Sequence, residues 1–171
     1  MTDRDIKAFD AIIVGAGFAG IYQLLKLRQL GLSAVILEKA DQIGGTWHWN
    51  RYPGARCDIP SLEYSYQFDE DLQQEWNWSE KYSAQPEILE YINHVADRFE
   101  LRDGINFEEE VTKATFNESD SKWVIETSKD KYETRFCIFA TGCLSVPNKP
   151  DFNGLDNFDG ELLQTSTWPK E

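Results

Sequence analysis

Three glycines at the spacing Gly15-Ala16-Gly17-Phe18-Ala19-Gly20, followed by a carboxylate at Glu38, are the residues of this chain best suited to hold an anionic ligand. In a turn of this kind the first glycine permits a tight exit from a strand. The second lets the backbone approach a pyrophosphate, and the third allows a helix to pack closely on the strand. A diphosphate then sits at the helix N-terminus, where unpaired N–H groups and aligned peptide dipoles favour negative charge. Glu38 can accept hydrogen bonds from the hydroxyls of an adenosine ribose and would repel a 2′-phosphate. Taken together, these residues describe a site for a dinucleotide of the FAD or NAD kind. A bare glycine-rich turn is the alternative, and the elements on either side separate the two.

Those elements are a strand, a helix and a strand. Residues 11–14 are apolar and β-branched, as in a parallel strand covered on both faces. Ile21, Leu24, Leu25 and Leu27 follow at helical spacing, and Gly31 is placed to end the helix. Residues 34–37 form a second buried strand that runs into Glu38, completing a right-handed βαβ unit. From residue 40 to about residue 85 the pattern breaks down into a Gly-, Pro-, Trp- and Tyr-rich stretch, and so long a connection is usually functional. After Pro86, Ile88, Ile92, Val95 and Phe99 make a helical stripe, and Ile105 and Phe107 imply a strand. Residues 111–116, 122–127 and 131–135 read as three short antiparallel strands with polar turns between them. Residues 137–140 read as a further buried strand leading into Thr141-Gly142. The fold class expected is α/β: a Rossmann-like domain with a parallel sheet plus a three-stranded antiparallel β-meander. Its bounds are residues 1–145, with 146–171 as a Pro- and Gly-bearing linker.

Length and charge limit the partners. A chain of 171 residues suits one domain with a real core. With 17 basic against 30 acidic residues the formal net charge is -13, which argues against nucleic acid or an anionic membrane surface as the main partner. Local dipoles rather than overall charge must therefore hold an anionic cofactor. Cys57, Cys137 and Cys143 have no metal-ligand spacing, so no metal site is expected, and reduced thiols in a cytoplasmic protein are the simplest reading. No apolar run approaches the roughly 18 residues of a membrane span. The apolar stretch at 11–21 is interrupted by the three glycines and is read as structure, not as a signal peptide.

The run Gly44-Gly45-Thr46-Trp47-His48-Trp49-Asn50-Arg51-Tyr52-Pro53-Gly54-Ala55-Arg56-Cys57-Asp58 carries a more specific message. With this segment the sequence resembles the two-dinucleotide-binding flavoproteins, and within them the Baeyer–Villiger monooxygenases, relatives of the flavin-containing monooxygenases. The resemblance makes the glycine turn part of an FAD-binding domain. It places the diphosphate along Gly15, Ala16, Gly17, Phe18, Ala19 and Gly20 and the adenosine at Glu38 and Lys39, with Val111 touching the adenine through its backbone. Flavin-side contacts fall to Gly45, Thr46, Trp47, Trp49, Asp58 and Tyr64, and Ala140-Thr141-Gly142 supplies a second flavin-contacting segment. Arg56-Cys57-Asp58 lies where NADPH approaches the flavin, and Asp58 corresponds to an acid that orients the active-site arginine. A buried carboxylate in that role needs a cationic partner. His48 is a candidate polar neighbour of the flavin. Trp76 and Trp78 are assigned to packing, and His94 to an exposed helical face without a role.

The reaction the resemblance implies uses NADPH and dioxygen, passes through a flavin peroxide and inserts one oxygen beside the carbonyl of a ketone substrate. NADPH needs a second glycine fingerprint, and among the eleven glycines only Gly15, Gly17 and Gly20 form one. The chain is thus expected to be the N-terminal part of a longer enzyme, inactive alone, lacking the active-site arginine and the later segment that completes the flavin domain, with 146–171 leading to an NADPH-binding domain. Phe158-Asp159-Gly160 and Trp168-Pro169 fit the family fingerprint F-x-G-x-x-x-H-x-x-x-W-P, but Gln164 stands at the histidine position. Glutamine can donate and accept hydrogen bonds yet cannot exchange a proton near neutral pH. An N- or S-oxygenating relative and a non-catalytic flavin-binding module are the alternative functions.

Overall fold

A computed structural model of the protein describes residues 6–169. Strand β1 (Lys7–Val14), helix α1 (Phe18–Gln29) and strand β2 (Ala34–Leu37) form the expected parallel unit. The register of β1 against β2 runs from Ala11↔Ala34 to Val14↔Leu37. Ala11, Ile12, Ile13 and Ile36 are fully buried, which is why this stretch has no alternation. Helix α1 ends at a left-handed Gly31 with φ +74°.

Three short helices, α2 (Thr46–Trp49), α3 (Ser61–Tyr64) and α4 (Glu70–Glu75), occupy the aperiodic stretch. None has the length to print a helical period on the sequence, so only packing reveals them. Asp69 caps α4, its carboxylate accepting from Leu72 N at 2.8 Å. Helix α5 (Gln85–Arg98) follows, with Pro86 in its first turn. Aromatic rings join α5 to this region: Trp76 and Trp78 lie 5.3 and 4.9 Å from the buried Tyr91 ring, in keeping with a packing role. His94 is half-buried, 5.4 Å from the Trp76 ring and 3.7 Å from Glu75, so the exposed position expected for it is corrected.

Strands β3 (Ile105–Asn106), β4 (Val111–Asn117), β5 (Lys122–Thr127) and β6 (Lys131–Phe139) complete one six-stranded sheet in the order β3-β2-β1-β6-β5-β4. The two strands expected at 131–135 and 137–140 are a single strand. Its first half pairs antiparallel with β5 (Trp123↔Thr134 to Glu126↔Lys131), while its whole length pairs parallel with β1 (Lys7↔Tyr132 to Val14↔Phe139). No Gly, Pro or Asn interrupts residues 131–139, so the chain has no means of turning there. The meander and the parallel sheet are therefore continuous, and β6 carries the turn at Ala140-Thr141-Gly142 to the carboxyl edge of β1.

Candidate functional site

The glycine turn sits at that edge. Gly15 has φ +104°, and a Cβ there would lie 2.8 Å from the Ala140 carbonyl oxygen, so only glycine fits. A Cβ on Gly20 would lie 1.9 Å from the Gly15 carbonyl oxygen, which is the close packing of helix on strand that the spacing implies. Gly17 is the N-cap of α1 and has no side chain to cap it. The first backbone N–H groups of the helix have no intrahelical acceptor. They form a ready site for an anion.

Glu38 is buried, and its carboxylate is held by the turn itself. One oxygen accepts from Ala16 N at 2.6 Å and the other from Ala40 N at 2.8 Å. Each oxygen keeps a further lone pair for an outside donor. The acid is thus locked to the Gly15–Gly20 segment, a coupling that spacing alone does not reveal.

The second glycine pair closes on the first. Gly45 has φ +54°, and a Cβ there would come 2.9 Å from Gly17 Cα; Gly44 N donates to Ala16 O at 3.0 Å. Beyond it, Trp47 is buried, and its indole Nε1–H donates to Tyr64 OH at 2.9 Å. Burial pushes the Tyr64 phenol above its ordinary range, so it stays protonated at neutral pH. The side-chain amide of Gln85 donates to the Trp47 carbonyl. Lys39 places its ammonium 5.3 Å from the Trp49 ring, and buried His48 meets Trp49 edge-on at 4.7 Å.

These elements enclose a cleft of about 580 Å³. Gly15, Gly17, Phe18 and Ala19 line it, together with Gly45, Thr46, Trp47, Trp49 and Tyr64. Glu38, Lys39, Val111, Ala140, Thr141 and Gly142 line it as well. Ala16 and Gly20 support the turn from behind. Arg56, Cys57 and Asp58 do not line the cleft. Arg56 pairs with Glu80 at 2.6 Å and donates to the Tyr82 carbonyl, and Cys57 is buried against Trp47 and Ile88. Asp58 is exposed, which corrects the expectation of a buried carboxylate. The three residues follow a turn at the surface, and the Arg56–Ala84 bridge fixes that turn to the start of α5 rather than to the cleft.

Several cleft residues escaped sequence reasoning. Leu144, Ser145 and Val146 lie just past the 140–142 turn, where the expected domain gives way to the expected linker. Glu109 and Glu110 also line the cleft. The run Glu108-Glu109-Glu110 directly before Val111 was the available signal, though acidic runs are commonly solvated. In the linker, Gln164 donates through its side-chain amide to Asn148 O at 2.7 Å. Among the described residues there is no cluster of three or more His, Cys, Asp or Glu side chains fit to hold a metal, and no helix is long and apolar enough to cross a membrane.

Comparison with known proteins adds an independent finding. The profile of the family described as pyridine nucleotide-disulphide oxidoreductase matches residues 12–168. An acetone monooxygenase (methyl acetate-forming) of Gordonia sp. is 45% identical over 95% of the chain, which spans 31% of that protein. A phenazine N-monooxygenase of Lysobacter antibioticus is 42% identical over 100% of the chain and 32% of its own length. The crystal structure of a cyclohexanone monooxygenase from Rhodococcus sp., bound to NADP+, superposes with a TM-score of 0.91 at 46% identity, covering 97% of this chain and 32% of that one. The chain therefore spans about a third of the length of the proteins it matches, and its α/β fold is the one found in that part of them.

Proposed function

The chain belongs to the pyridine nucleotide-disulphide oxidoreductase family, and from that premise we propose that it forms the FAD-binding part of an FAD- and NADPH-dependent monooxygenase of the Baeyer–Villiger type. One observation carries the reading: two glycine turns, the 140–142 turn and the buried acid Glu38 converge on a single cleft. The donor set fits FAD. Backbone N–H groups at the start of α1 suit the diphosphate, and Glu38 with Lys39 suits the ribose. Val111 offers its backbone to the adenine, and Gly45, Thr46, Trp47, Trp49 and Tyr64 with Ala140, Thr141 and Gly142 form the flavin end. The Gly45–Gly17 approach leaves no room for a side chain between the two glycine turns.

When bound, FAD supplies the redox chemistry: two electrons from NADPH and one O2, with one oxygen placed next to a ketone carbonyl and the other leaving as water. The chain's own residues bind and orient. Tyr64 holds the Trp47 indole in place and so fixes the wall against which a flavin would rest. The exposed Asp58 is open to an arginine from outside the described residues and would orient it. Residues 1–145 form the FAD-binding unit and 146–171 lead toward an NADPH-binding domain. A cytoplasmic setting accords with three free cysteines.

N-oxygenation is the second reading, favoured by the likeness to the phenazine N-monooxygenase. Product analysis of the whole protein carrying this chain separates the two: an ester or lactone from a cyclic ketone is expected, whereas amine oxide from a tertiary amine with no ester overturns the first reading.

A further inference from the structure

The cleft contains a carboxylate that the proposed chemistry does not use. Glu109 is 4% exposed and belongs to the connection between β3 and β4. Tyr132, fully buried on β6, donates its hydroxyl to Glu109 Oε1 at 2.6 Å. Thr127 Oγ1 on β5 lies 2.9 Å from the same oxygen, sharing its proton with the Asp130 carbonyl at 3.0 Å. Tyr132 OH also accepts from Asn106 Nδ2 at 3.1 Å. Burial pushes the Tyr132 phenol far above its ordinary range, so the donor is permanent.

The backbone of the same connection grips Glu38. Glu38 N donates to Asn106 O at 2.9 Å, Glu109 N donates to Glu38 O at 2.8 Å, and Glu108 N donates to Ala40 O at 2.8 Å. The residues flanking Glu38 and those preceding Val111 are thus one hydrogen-bonded piece. Its side-chain anchor is the Glu109–Tyr132 bond. The connection joins the two strands that end the sheet order, and the Tyr132 hydroxyl ties it to β6.

Resting on the FAD reading above, we propose that Glu109 is a positioning residue for the adenosine half of the cofactor, acting through Tyr132 to fix Glu38 and Val111. It holds the wall through the acceptor at Oε1 rather than by touching the flavin. Direct contact by its charge, or a purely structural role, is the competing outcome.

The test is FAD and FMN affinity of the chain by quenching of flavin fluorescence, for wild type, Glu109→Ala, Glu109→Gln and Tyr132→Phe, with thermal melting to verify folding. FMN lacks the adenosine half. Loss of a hydrogen bond to a buried acceptor sets the scale: FAD affinity is expected to fall about tenfold in Glu109→Ala and roughly threefold to tenfold in Tyr132→Phe, with FMN affinity moving by less than about twofold. Glu109→Gln keeps an acceptor at Oε1 and is expected to recover most of the loss. Equal losses for FAD and FMN, or wild-type FAD affinity in a folded Tyr132→Phe, overturn the proposal, as does a Glu109→Gln loss as large as that of Glu109→Ala. Wild-type protein that takes up no FAD at all overturns the FAD reading itself.

Discussion

Glu38 illustrates how far a single residue can be read from sequence. Its distance from the glycine turn, and its position at the end of a buried strand, were legible because both follow from strand and helix periods. Its bonds to Ala16 N and Ala40 N were not, since they depend on how the turn folds back over β2. Glu38→Ala removes the acceptor for the ribose and leaves two buried N–H groups unpaired, which costs about 1–3 kcal/mol for each. FAD affinity is expected to drop at least tenfold, with a lower melting temperature; isothermal titration and calorimetry measure the two effects. Gly20→Ala drives a methyl group into the Gly15 carbonyl and is expected to destabilise the fold by on the order of 2–3 kcal/mol in urea unfolding. Cys137 provides a pH-dependent case. Burial raises its thiol from 9.0 to about 11, so the folded chain keeps this proton while the unfolded chain has already lost it. Stability should therefore be full below pH 9 and fall as pH rises through about 11. Since the residue is only half-buried, the effect is on the order of 1 kcal/mol. Urea midpoints at pH 8 and about pH 10.5, compared with those of Cys137→Ala, would show whether that loss belongs to this thiol.

At the scale of elements, β6 teaches the most. Alternation located residues 131–135 and an apolar run located 137–140, but the two signatures are halves of one strand. The first half has β5 on one side and β1 on the other; the second is paired only with β1. The change of environment changes the sequence pattern without breaking the strand. Thr134 lies where both pairings are present, 1% exposed, and its hydroxyl donates to Asp10 O at 3.0 Å. Thr134→Val keeps the shape and loses that bond, and about 1 kcal/mol of destabilisation is expected. Thr134→Pro removes a backbone donor from a central strand and is expected to cost about 3 kcal/mol or more, with loss of the β-sheet signal in circular dichroism. If Thr134→Pro melts like the parent, β6 is not one central strand. Helices α2 to α4 were illegible for a different reason: at four to six residues they are shorter than the period needed to display a face.

For the molecule as a whole, a net charge of -13 argues against large polyanions as main partners and leaves a diphosphate site to helix N–H groups and glycine turns. The glycine spacing and the Gly44–Asp58 run marked the cleft because each is local in the chain. The Asn106–Glu109–Tyr132 network was illegible because Glu109 and Asn106 lie 23 and 26 residues from Tyr132 and meet it only through the folded sheet. Asp58 was misread as buried, since the run containing it does not record that the chain has returned to the surface. The most direct measurement is a titration of the purified chain with FAD, following flavin fluorescence and visible absorbance. One FAD per chain is expected, displaced by ADP and weakened at least tenfold by Glu38→Ala. Absence of FAD binding, or binding that is indifferent to ADP and to Glu38, would contradict the proposal that this cleft holds the cofactor.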